Sequence, residues 1–273
     1  MNTYKDFANA TDEKNNREEV WALILGGSSG LGLASAKKLA AHGMNIIIIH
    51  RDRKSEVPQI EKKFEEIRKH QVQLQTYNVD LLKPEKRQEL ISQIHKNSPS
   101  GKIKVLIHSI AKGNLKPMND AKYELKNDDF HLTIDAMAVS LYDWTKAIFK
   151  AELFATDARI ISFTSEGNTK AWKNYAAVSA AKVTLEAITR SIALEFAPYG
   201  IRANCLQPGA VDTKSLRLIP GHEKIMAHSI ARNPFNRLTT AKDVANVVYL
   251  LCREEASWIN GCTIPVNGGE HLR

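Results

Sequence analysis

The chain has 273 residues, 43% of them hydrophobic and 25% charged, and this globular composition argues against disordered and low-complexity classes. Its 38 Lys and Arg against 30 Asp and Glu give a formal net charge of +8, which allows an acidic partner but selects none. The length suits a single α/β domain, which we assign to residues 20–273 after a polar N-terminal extension at residues 1–19.

Short apolar runs alternate along the chain with longer stretches of helical period. Strands are predicted at residues 20–25, 45–50, 72–77, 103–107, 159–163, 201–206 and 263–266. Helices are predicted at residues 31–42, 56–70, after Pro84, and at residues 128–150, 172–197 and 241–252. Runs such as residues 45–50 do not alternate apolar with polar, which is typical of parallel strands covered on both faces. This order predicts a Rossmann-type, doubly wound parallel seven-stranded sheet with helices on both faces.

The first predicted strand runs directly into a glycine-rich turn that opens the first helix. Glycine permits the tight turn and lets the backbone approach a pyrophosphate, while the helix N-terminus offers N–H groups and a positive dipole end to the phosphates. This context predicts a dinucleotide site. Its predicted contacts are Gly26, Ser28, Ser29, Gly30, Leu31 and Gly32.

The second predicted strand ends at His50-Arg51-Asp52-Arg53. NAD-selective sites place a carboxylate here against the ribose 2′-hydroxyl, whereas NADP sites place cationic side chains against the 2′-phosphate. Arg51 and Arg53 therefore favour NADPH. Asp52 can still reach the ribose, and it keeps NADH open as the less favoured cofactor.

The spacing of Gly26, Gly30 and Gly32 resembles the short-chain dehydrogenase/reductase family, and further segments resemble that family's motifs along residues 20–270. The resemblance implies a homotetramer, and it places Asn78 and Val79 at the adenine. It also implies cofactor contacts at Ser109, Ile110, Ala111, Lys182, Pro208, Gly209, Val211 and Thr213.

Most members of that family carry a serine, a tyrosine thirteen residues later and a lysine four residues after the tyrosine. Here Ser165 and Lys182 are in register, but Val178 stands at the tyrosine position and the nearest tyrosine is Tyr175. Seven residues at about 100° each fall roughly 20° short of two turns, so we expect Tyr175 and Lys182 on one helix face. The phenol is displaced by about 4.5 Å along the helix axis.

This displacement bears on the reaction. In ketone reduction, hydride and proton reach adjacent atoms. In enoyl thioester reduction, the hydride reaches the β-carbon and negative charge appears on an oxygen several atoms away. A shifted phenol fits that second separation.

The seven-residue spacing of Tyr175 and Lys182 resembles the enoyl-[acyl-carrier-protein] reductases of this family. The retained glycine spacing is similar to their NADPH-dependent type III (FabL) members. The resemblance implies that Tyr175 donates a hydrogen bond to the thioester oxygen as the enolate forms. It implies that Lys182 binds the ribose hydroxyls and lowers the phenol pKa if the two side chains are close, and that Ser165 helps to hold substrate or nicotinamide.

Residues 214–232 resemble the segment with which this family covers its substrate. The apolar side chains expected to line an acyl channel are Leu216, Leu218, Ile219, Ile225 and Met226. The cations expected at a docking rim for acidic acyl carrier protein are Lys214, Arg217, His222 and Lys224. Such a cluster is more often a solvated face. The expected partner is acyl carrier protein or an acyl-CoA thioester substrate.

Compartment and metal content follow from simpler features. The first twenty residues carry no apolar core of a signal peptide, and the longest aliphatic block, residues 46–49, is too short to span a bilayer. Cys205, Cys252 and Cys262 lie in apolar stretches without close spacing, so we expect buried thiols rather than a disulfide framework or a zinc site. The sequence predicts a cytoplasmic protein with no metal and no membrane span.

Three functions remain open at this point. The preferred one is an NADPH-dependent enoyl-acyl carrier protein reductase of fatty acid synthesis. The alternatives are a 3-oxoacyl thioester (carbonyl) reductase of the same family and a non-catalytic dinucleotide-binding regulator. Val178 speaks against the carbonyl reductase, and the presence of Tyr175 and Lys182 speaks against the regulator. Nucleic-acid binding lacks any recognition motif.

Overall fold

The computed structural model describes residues 19–273, so the predicted N-terminal extension lies outside the described residues except for Glu19, which begins the first strand. The strands are β1 Glu19–Leu25, β2 Asn45–His50, β3 Leu74–Asn78, β4 Gly101–His108, β5 Phe154–Phe163, β6 Ile201–Pro208 and β7 Thr263–Val266. The helices are α1 Gly30–Ala41, α2 Val57–Arg68, α3 Pro84–Asn97, α4 Asn127–Ile134, α5 Ser140–Lys150, α6 Ala176–Glu195, α7 Lys214–Arg217, α8 His222–Arg232 and α9 Ala241–Leu251.

The seven strands form one parallel sheet in the order β3-β2-β1-β4-β5-β6-β7. The chain builds outward in one direction from β1 to β3 and in the other from β4 to β7. The order therefore reverses between β1 and β4, and open parallel sheets place ligands beyond the carboxyl ends of the strands at such a point. The predicted fold class is confirmed.

Both faces of the sheet are covered, as the unbroken apolar runs predict. On one face, Leu23 and Ile47 join a buried cluster with Trp144 of α5. On the other, Ile24 and Ile48 join a cluster with side chains of α1, α2 and α9. Because successive strand residues point to opposite faces, a strand with a helical layer on each side needs apolar residues at every position.

The strands and helices depart from the predicted boundaries at places that local geometry explains. The helix predicted from residue 172 begins at Ala176, because Asn174 has φ +62° and so lies in the left-handed region outside helical geometry. The helix predicted over residues 128–150 contains a π turn, Asp135–Val139, between α4 and α5. The prediction of three buried thiols is wrong for Cys262, which is exposed, whereas Cys205 and Cys252 are buried.

Between residues 19 and 273, no helix combines the length and the apolar character needed to cross a membrane.

Candidate active site

A cavity of about 620 Å³ opens at the carboxyl ends of the strands. Its walls come from the turn between β1 and α1, the end of β4, the connection between β5 and α6, and the segment that contains α7 and α8. The three predicted catalytic residues, Ser165, Tyr175 and Lys182, all line this cavity. The fold therefore places all three side chains on the wall of one cavity, although Ser165 and Lys182 are seventeen residues apart in sequence.

Tyr175 occupies the N-cap position of α6 rather than a position inside the helix. The prediction that helical rotation alone places it on the face of Lys182 is therefore wrong in its premise, since its backbone φ is −113° and ψ is 2°. The side chain is 7% exposed, and its hydroxyl donates to Ser165 Oγ at 3.2 Å. Trp172 packs against its ring with centroids 5.1 Å apart.

Burial raises the pKa of Tyr175, and the hydrogen bond with Ser165 acts in the opposite direction. These are the two causes of the shift, and the expectation that Lys182 lowers the phenol pKa if the two side chains are close stays a prediction.

Ser165 follows β5 and caps the short 3-10 turn Glu166–Asn168 by accepting from the Gly167 N–H at 3.2 Å. It also accepts from the Tyr175 hydroxyl. A hydroxyl has two acceptor lone pairs and one O–H. With both lone pairs engaged, the Ser165 O–H is the group left to donate into the cavity.

Lys182 lies in α6 with its side chain directed at the end of β5. Its Nζ donates to the Phe163 carbonyl at 2.7 Å, and the residue is 7% exposed. Burial lowers the pKa of Lys182 to about 8. The ammonium has three donors. One contacts Phe163, and two remain for groups that enter the cavity.

Sequence reasoning assigned no role to His108, the last residue of β4. Its Nε2 lies 2.8 Å from Ser140 Oγ, and that hydroxyl donates to the Ala136 carbonyl inside the π turn. Since Ser140 is already the donor there, His108 Nε2 donates to it. Burial, and secondarily the charge of Lys182, lowers the pKa of His108 to about 3, so the imidazole is neutral. The signal was present in the sequence as a histidine at the end of a buried strand.

Glu186 is a second residue that the sequence analysis missed. It lies one helical turn after Lys182 in α6, and its Oε1 accepts from Thr164 Oγ1 at 2.5 Å and from Asn168 Nδ2. Thr164 and Asn168 stand on either side of Ser165 in sequence. The carboxylate therefore ties the turn that carries Ser165 to the helix that carries Lys182. No sequence spacing indicates this, because the partners come from different elements.

The glycine-rich turn has the shape that a dinucleotide requires. A Cβ on Gly26 would lie 2.3 Å from the Ser109 carbonyl oxygen, and one on Gly32 would lie 2.4 Å from the Gly26 carbonyl oxygen. A Cβ on Gly30 would meet only the Thr213 side chain, at an ordinary contact distance of 3.6 Å. The Ser29 side chain does not cap α1. The helix thus presents unsatisfied N–H groups beside the cavity, and phosphates are bound by such a helix end.

The predicted cofactor residues fall into two sets. Those that line the cavity are Gly26, Ser29, Gly30, Leu31, Ser109, Ile110, Ala111, Lys182, Pro208, Gly209, Val211 and Thr213. Ser28 and Gly32 are buried beneath the turn. The others lie outside the cavity at the ends of β2 and β3, where an extended ligand would continue. These are Arg51, Asp52, Arg53, Asn78 and Val79.

The charged groups at the end of β2 are largely paired with one another. Arg51 Nη1 binds Asp80 Oδ2 at 2.7 Å, and His50 Nδ1 lies 2.8 Å from Asp52 Oδ2. Arg53 is exposed and forms no ion pair with any residue from 19 to 273. Of the two arginines expected at a 2′-phosphate, Arg53 is thus the unpaired one. In the described part of the chain, no cluster of His, Cys, Asp and Glu could hold a metal ion.

The predicted substrate segment covers one side of the cavity. Four of the five apolar residues expected there line it, and Met226 does not. The four lining residues are Leu216, Leu218, Ile219 and Ile225.

The cations of the predicted docking rim are mostly paired. Lys214 binds Glu56 at 2.5 Å, Arg217 binds Asp212 at 2.7 Å, and His222 lies 3.6 Å from Glu223. Lys224 lines the cavity and is exposed. The rim is therefore closer to neutral than its sequence suggests.

An ion-pair network lies at the C-terminal end of residues 214–232. Arg232, the last residue of α8, donates to Glu166 Oε2 at 2.8 Å and to Glu270 Oε1 at 3.1 Å. Lys170 also binds Glu166. Although burial acts to raise the pKa of Glu166, these hydrogen bonds hold it below its ordinary value. Arg232 thereby joins α8, the turn after Ser165 and the C-terminal turn of the chain.

Comparison with known proteins agrees with this architecture. A sequence model of the family described as Enoyl-(Acyl carrier protein) reductase matches residues 26–271. The probable 2,4-dienoyl-CoA reductase of Bacillus subtilis (strain 168) is 27% identical over 260 residues, which cover 93% of this chain and 98% of that protein. The 3-oxoacyl-[acyl-carrier-protein] reductase FabG of Escherichia coli (strain K12) is 27% identical over 260 residues, or 94% of this chain and 99% of that protein.

Among solved structures, the enoyl-[acyl-carrier-protein] reductase (NADH) of Aquifex aeolicus VF5 superposes with a TM-score of 0.81. The match covers 95% of this chain and 99% of that one at 24% identity. At that identity the likeness speaks for the fold alone. The two curated relatives reduce different bonds according to their names, one a dienoyl and the other a 3-oxoacyl group.

Proposed function

The chain belongs to the short-chain dehydrogenase/reductase family, that of the enoyl-(acyl carrier protein) reductase model it matches, and on this premise we propose that it reduces trans-2-enoyl thioesters with NADPH. The thioester is carried by acyl carrier protein or coenzyme A, and the reaction belongs to fatty acid synthesis. A cytoplasmic homotetramer, expected from the sequence and its resemblance, is part of the proposal.

The position of the cavity's phenol is the observation that carries this proposal. Tyr175 is the sole tyrosine among the described residues of the cavity wall, and it stands at the N-cap of α6. Val178, at the position four residues before Lys182, also lines the cavity but supplies only an apolar side chain. An acid set back from the usual position fits an oxygen that is several atoms from the carbon receiving hydride.

Three side chains of the chain then have distinct tasks. Tyr175 turns its O–H from Ser165 to the thioester oxygen and stabilises the negative charge that develops there. Ser165, which still accepts from the Gly167 N–H, donates its own O–H to the substrate. Because Tyr175 is buried and its pKa is raised, the phenol keeps its proton until the enolate needs it.

The cofactor would be held by the glycine-rich turn, by Lys182 at the nicotinamide ribose, and by Arg53 at the 2′-phosphate. When bound, NADPH supplies the hydride. Lys182 keeps two donors free for the ribose hydroxyls, and its contact with the Phe163 carbonyl fixes the direction of the ammonium. The apolar wall that includes Leu216 and Ile219 excludes water from the thioester and accepts the acyl chain.

A second candidate is a 3-oxoacyl thioester reductase, in which Tyr175 protonates a ketone oxygen. The relative named FabG favours it, and the relatives as a group support it at least as well as the enoyl activity. The two candidates share the cofactor and the thioester, so a comparison of substrates separates them.

The test is consumption of NADPH by the purified full-length protein, followed by absorbance. We expect turnover of crotonyl thioesters, offered both on acyl carrier protein and on coenzyme A, with kcat/KM exceeding that for the matching 3-oxoacyl thioester. Preference for the 3-oxoacyl thioester would establish the second candidate instead. If the protein binds NADPH but turns over neither substrate, the result would favour a non-catalytic dinucleotide-binding regulator.

A further inference from the structure

A hydrogen bond joins His50 and Asp52 at the end of β2, where the ribose of a dinucleotide is expected. We propose that His50 is a specificity-determining residue, which holds the Asp52 carboxylate back and so admits a phosphate at the ribose 2′-position. This inference rests on the proposed use of NADPH, but not on the choice between enoyl and 3-oxoacyl substrates.

The first support is the fixed position of the imidazole. His50 is the last residue of β2 and is 4% exposed. Its ring packs edge-on against Phe64 of α2, with centroids 5.7 Å apart. The ring cannot swing with the loop, because the strand holds its backbone and Phe64 holds its side chain.

The second support is the orientation of the carboxylate. Asp52 Oδ2 lies 2.8 Å from His50 Nδ1. An ionised carboxylate only accepts hydrogen bonds, so the imidazole carries its proton on Nδ1 and donates it. The side chain of Asp52 is 19% exposed. One of the two carboxylate oxygens that could accept from an unsubstituted ribose is thus engaged within the protein, and this bond fixes the direction of the carboxylate.

The backbone of Asp52 is held as firmly as its side chain. Its N–H donates to Asn78 Oδ1 at 3.0 Å, and its carbonyl accepts from Asn78 Nδ2 at 3.1 Å. Asn78 ends β3, the neighbour of β2 in the sheet. With the main chain anchored by Asn78, the Asp52 carboxylate can change direction only if its hydrogen bond with His50 breaks.

The charges that remain at this edge are positive. Arg53 and Lys54 follow Asp52, are exposed, and form no ion pair or hydrogen bond through their side chains with the described residues. A 2′-phosphate brings about two negative charges, which a free carboxylate nearby would repel and which these cations attract. The hydrogen bond with His50 therefore limits how closely the one negative side chain at this edge can approach the 2′-position, while the two cations stay available to it.

A purely structural role for the same hydrogen bond makes a different prediction. If His50 only stabilises the end of β2, its loss disturbs the loop and weakens the binding of NADPH and NADH equally. If it withdraws a charge, its loss weakens NADPH alone, and removal of the carboxylate cancels the effect. The two roles are thus separated by a double-mutant cycle.

The experiment measures dissociation constants of NADPH and NADH by cofactor fluorescence, with the full chain and no substrate. The variants are His50→Leu, Asp52→Ala and the double variant. We expect His50→Leu to weaken NADPH about tenfold without weakening NADH, and we expect the double variant to restore NADPH. His50→Gln, whose amide can still donate to Asp52, is expected to keep the wild-type preference.

Equal weakening of both cofactors by His50→Leu would overturn the inference, as would a double variant that does not recover NADPH. If His50→Leu does not fold, His50→Gln and Asp52→Ala carry the test: a loss of NADPH preference in the first, or in the second, contradicts it. A wild-type chain that binds NADH more tightly overturns the proposed cofactor and this inference together. Failure of the enoyl assay with the cycle intact would overturn the substrate proposal alone.

Discussion

The Tyr175 hydroxyl is hydrogen-bonded in a nearly dry setting, and its single described partner is Ser165. Burial and this hydrogen bond shift the pKa of the phenol, while Lys182 donates to the Phe163 carbonyl. In the proposed reaction the phenol acts as a positioned hydrogen-bond donor, which is stronger where water is excluded. This distinguishes it from a general acid whose pKa is tuned toward neutrality.

We therefore expect Tyr175→Phe to lower kcat by about a hundredfold or more, because one donor to the developing oxyanion is lost. The dissociation constant of NADPH should stay close to the wild-type value, since the ring and its contact with Trp172 remain. Tyr199→Phe is the matched control, since Tyr199 is 58% exposed and also keeps its ring contacts. Near-wild-type turnover in Tyr175→Phe would contradict the role.

At this scale the sequence predicts which residues form the candidate site, but not which partners their side chains contact. Resemblance to the family's Ser–Tyr–Lys pattern picks out Ser165, Tyr175 and Lys182, and all three line one cavity. The partner of each is not predictable in the same way. Arg51 binds Asp80, 29 residues away, and so is engaged where the sequence shows two equivalent arginines. Such pairings depend on which elements the fold brings side by side.

Helix α6 forms part of the cavity wall. It presents Lys182 and, one turn later, Glu186, whose carboxylate holds the turn around Ser165. The long apolar period of this helix was predictable, but its first residue was not, because Asn174 at φ +62° interrupts it. Tyr175 is consequently carried by the entry to the helix, where the backbone is free to aim the ring at Ser165.

Loss of the Glu186 carboxylate should loosen that turn. We expect Glu186→Ala to lower kcat about tenfold, since two hydrogen bonds to a charged acceptor disappear, and to lower Tm as well. KM for NADPH should change much less, because the glycine-rich turn is untouched. Glu195→Ala, an exposed glutamate at the end of the same helix, is the control. A fall in Tm without any fall in kcat would indicate that Glu186 supports the helix alone.

At the scale of the whole molecule, the fold keeps an ammonium and two thiols inside the protein. Burial lowers the pKa of Lys182 from 10.5 to about 8. It raises the pKa of Cys205 from 9.0 to about 11 and that of Cys252 from 9.0 to about 12. As the pH rises, the shift of Lys182 and the shifts of the two cysteines change the free energy of unfolding in opposite directions.

Between about pH 8 and pH 10.5 the unfolded chain binds more protons at Lys182 than the folded chain does, so the free energy of unfolding rises with pH. Above about pH 9 the unfolded chain releases thiol protons that the folded chain retains, so the cysteines reverse the rise. We expect the free energy of unfolding in urea to increase from about pH 7 to about pH 9 without cofactor.

Lys182→Met has no ammonium to titrate, and its free energy of unfolding should not show this increase. The difference between wild type and variant isolates the contribution of Lys182 from that of every other group. Parallel pH profiles for the two proteins would show that the ammonium is well solvated in the folded chain.

The four tryptophans are distributed so that each reports on a different place. Trp21 and Trp144 are sealed in the core, Trp258 is 96% exposed, and Trp172 lies half-buried in the cavity wall beside Tyr175. Of the four, only Trp172 lines the cavity, so its indole is the one that gains a neighbour when a ligand fills the cavity. A water-soluble ion quenches the emission of the exposed Trp258 first, whereas the emission of Trp21 and Trp144 stays constant. The fluorescence of Trp172 therefore reports whether the cavity is occupied.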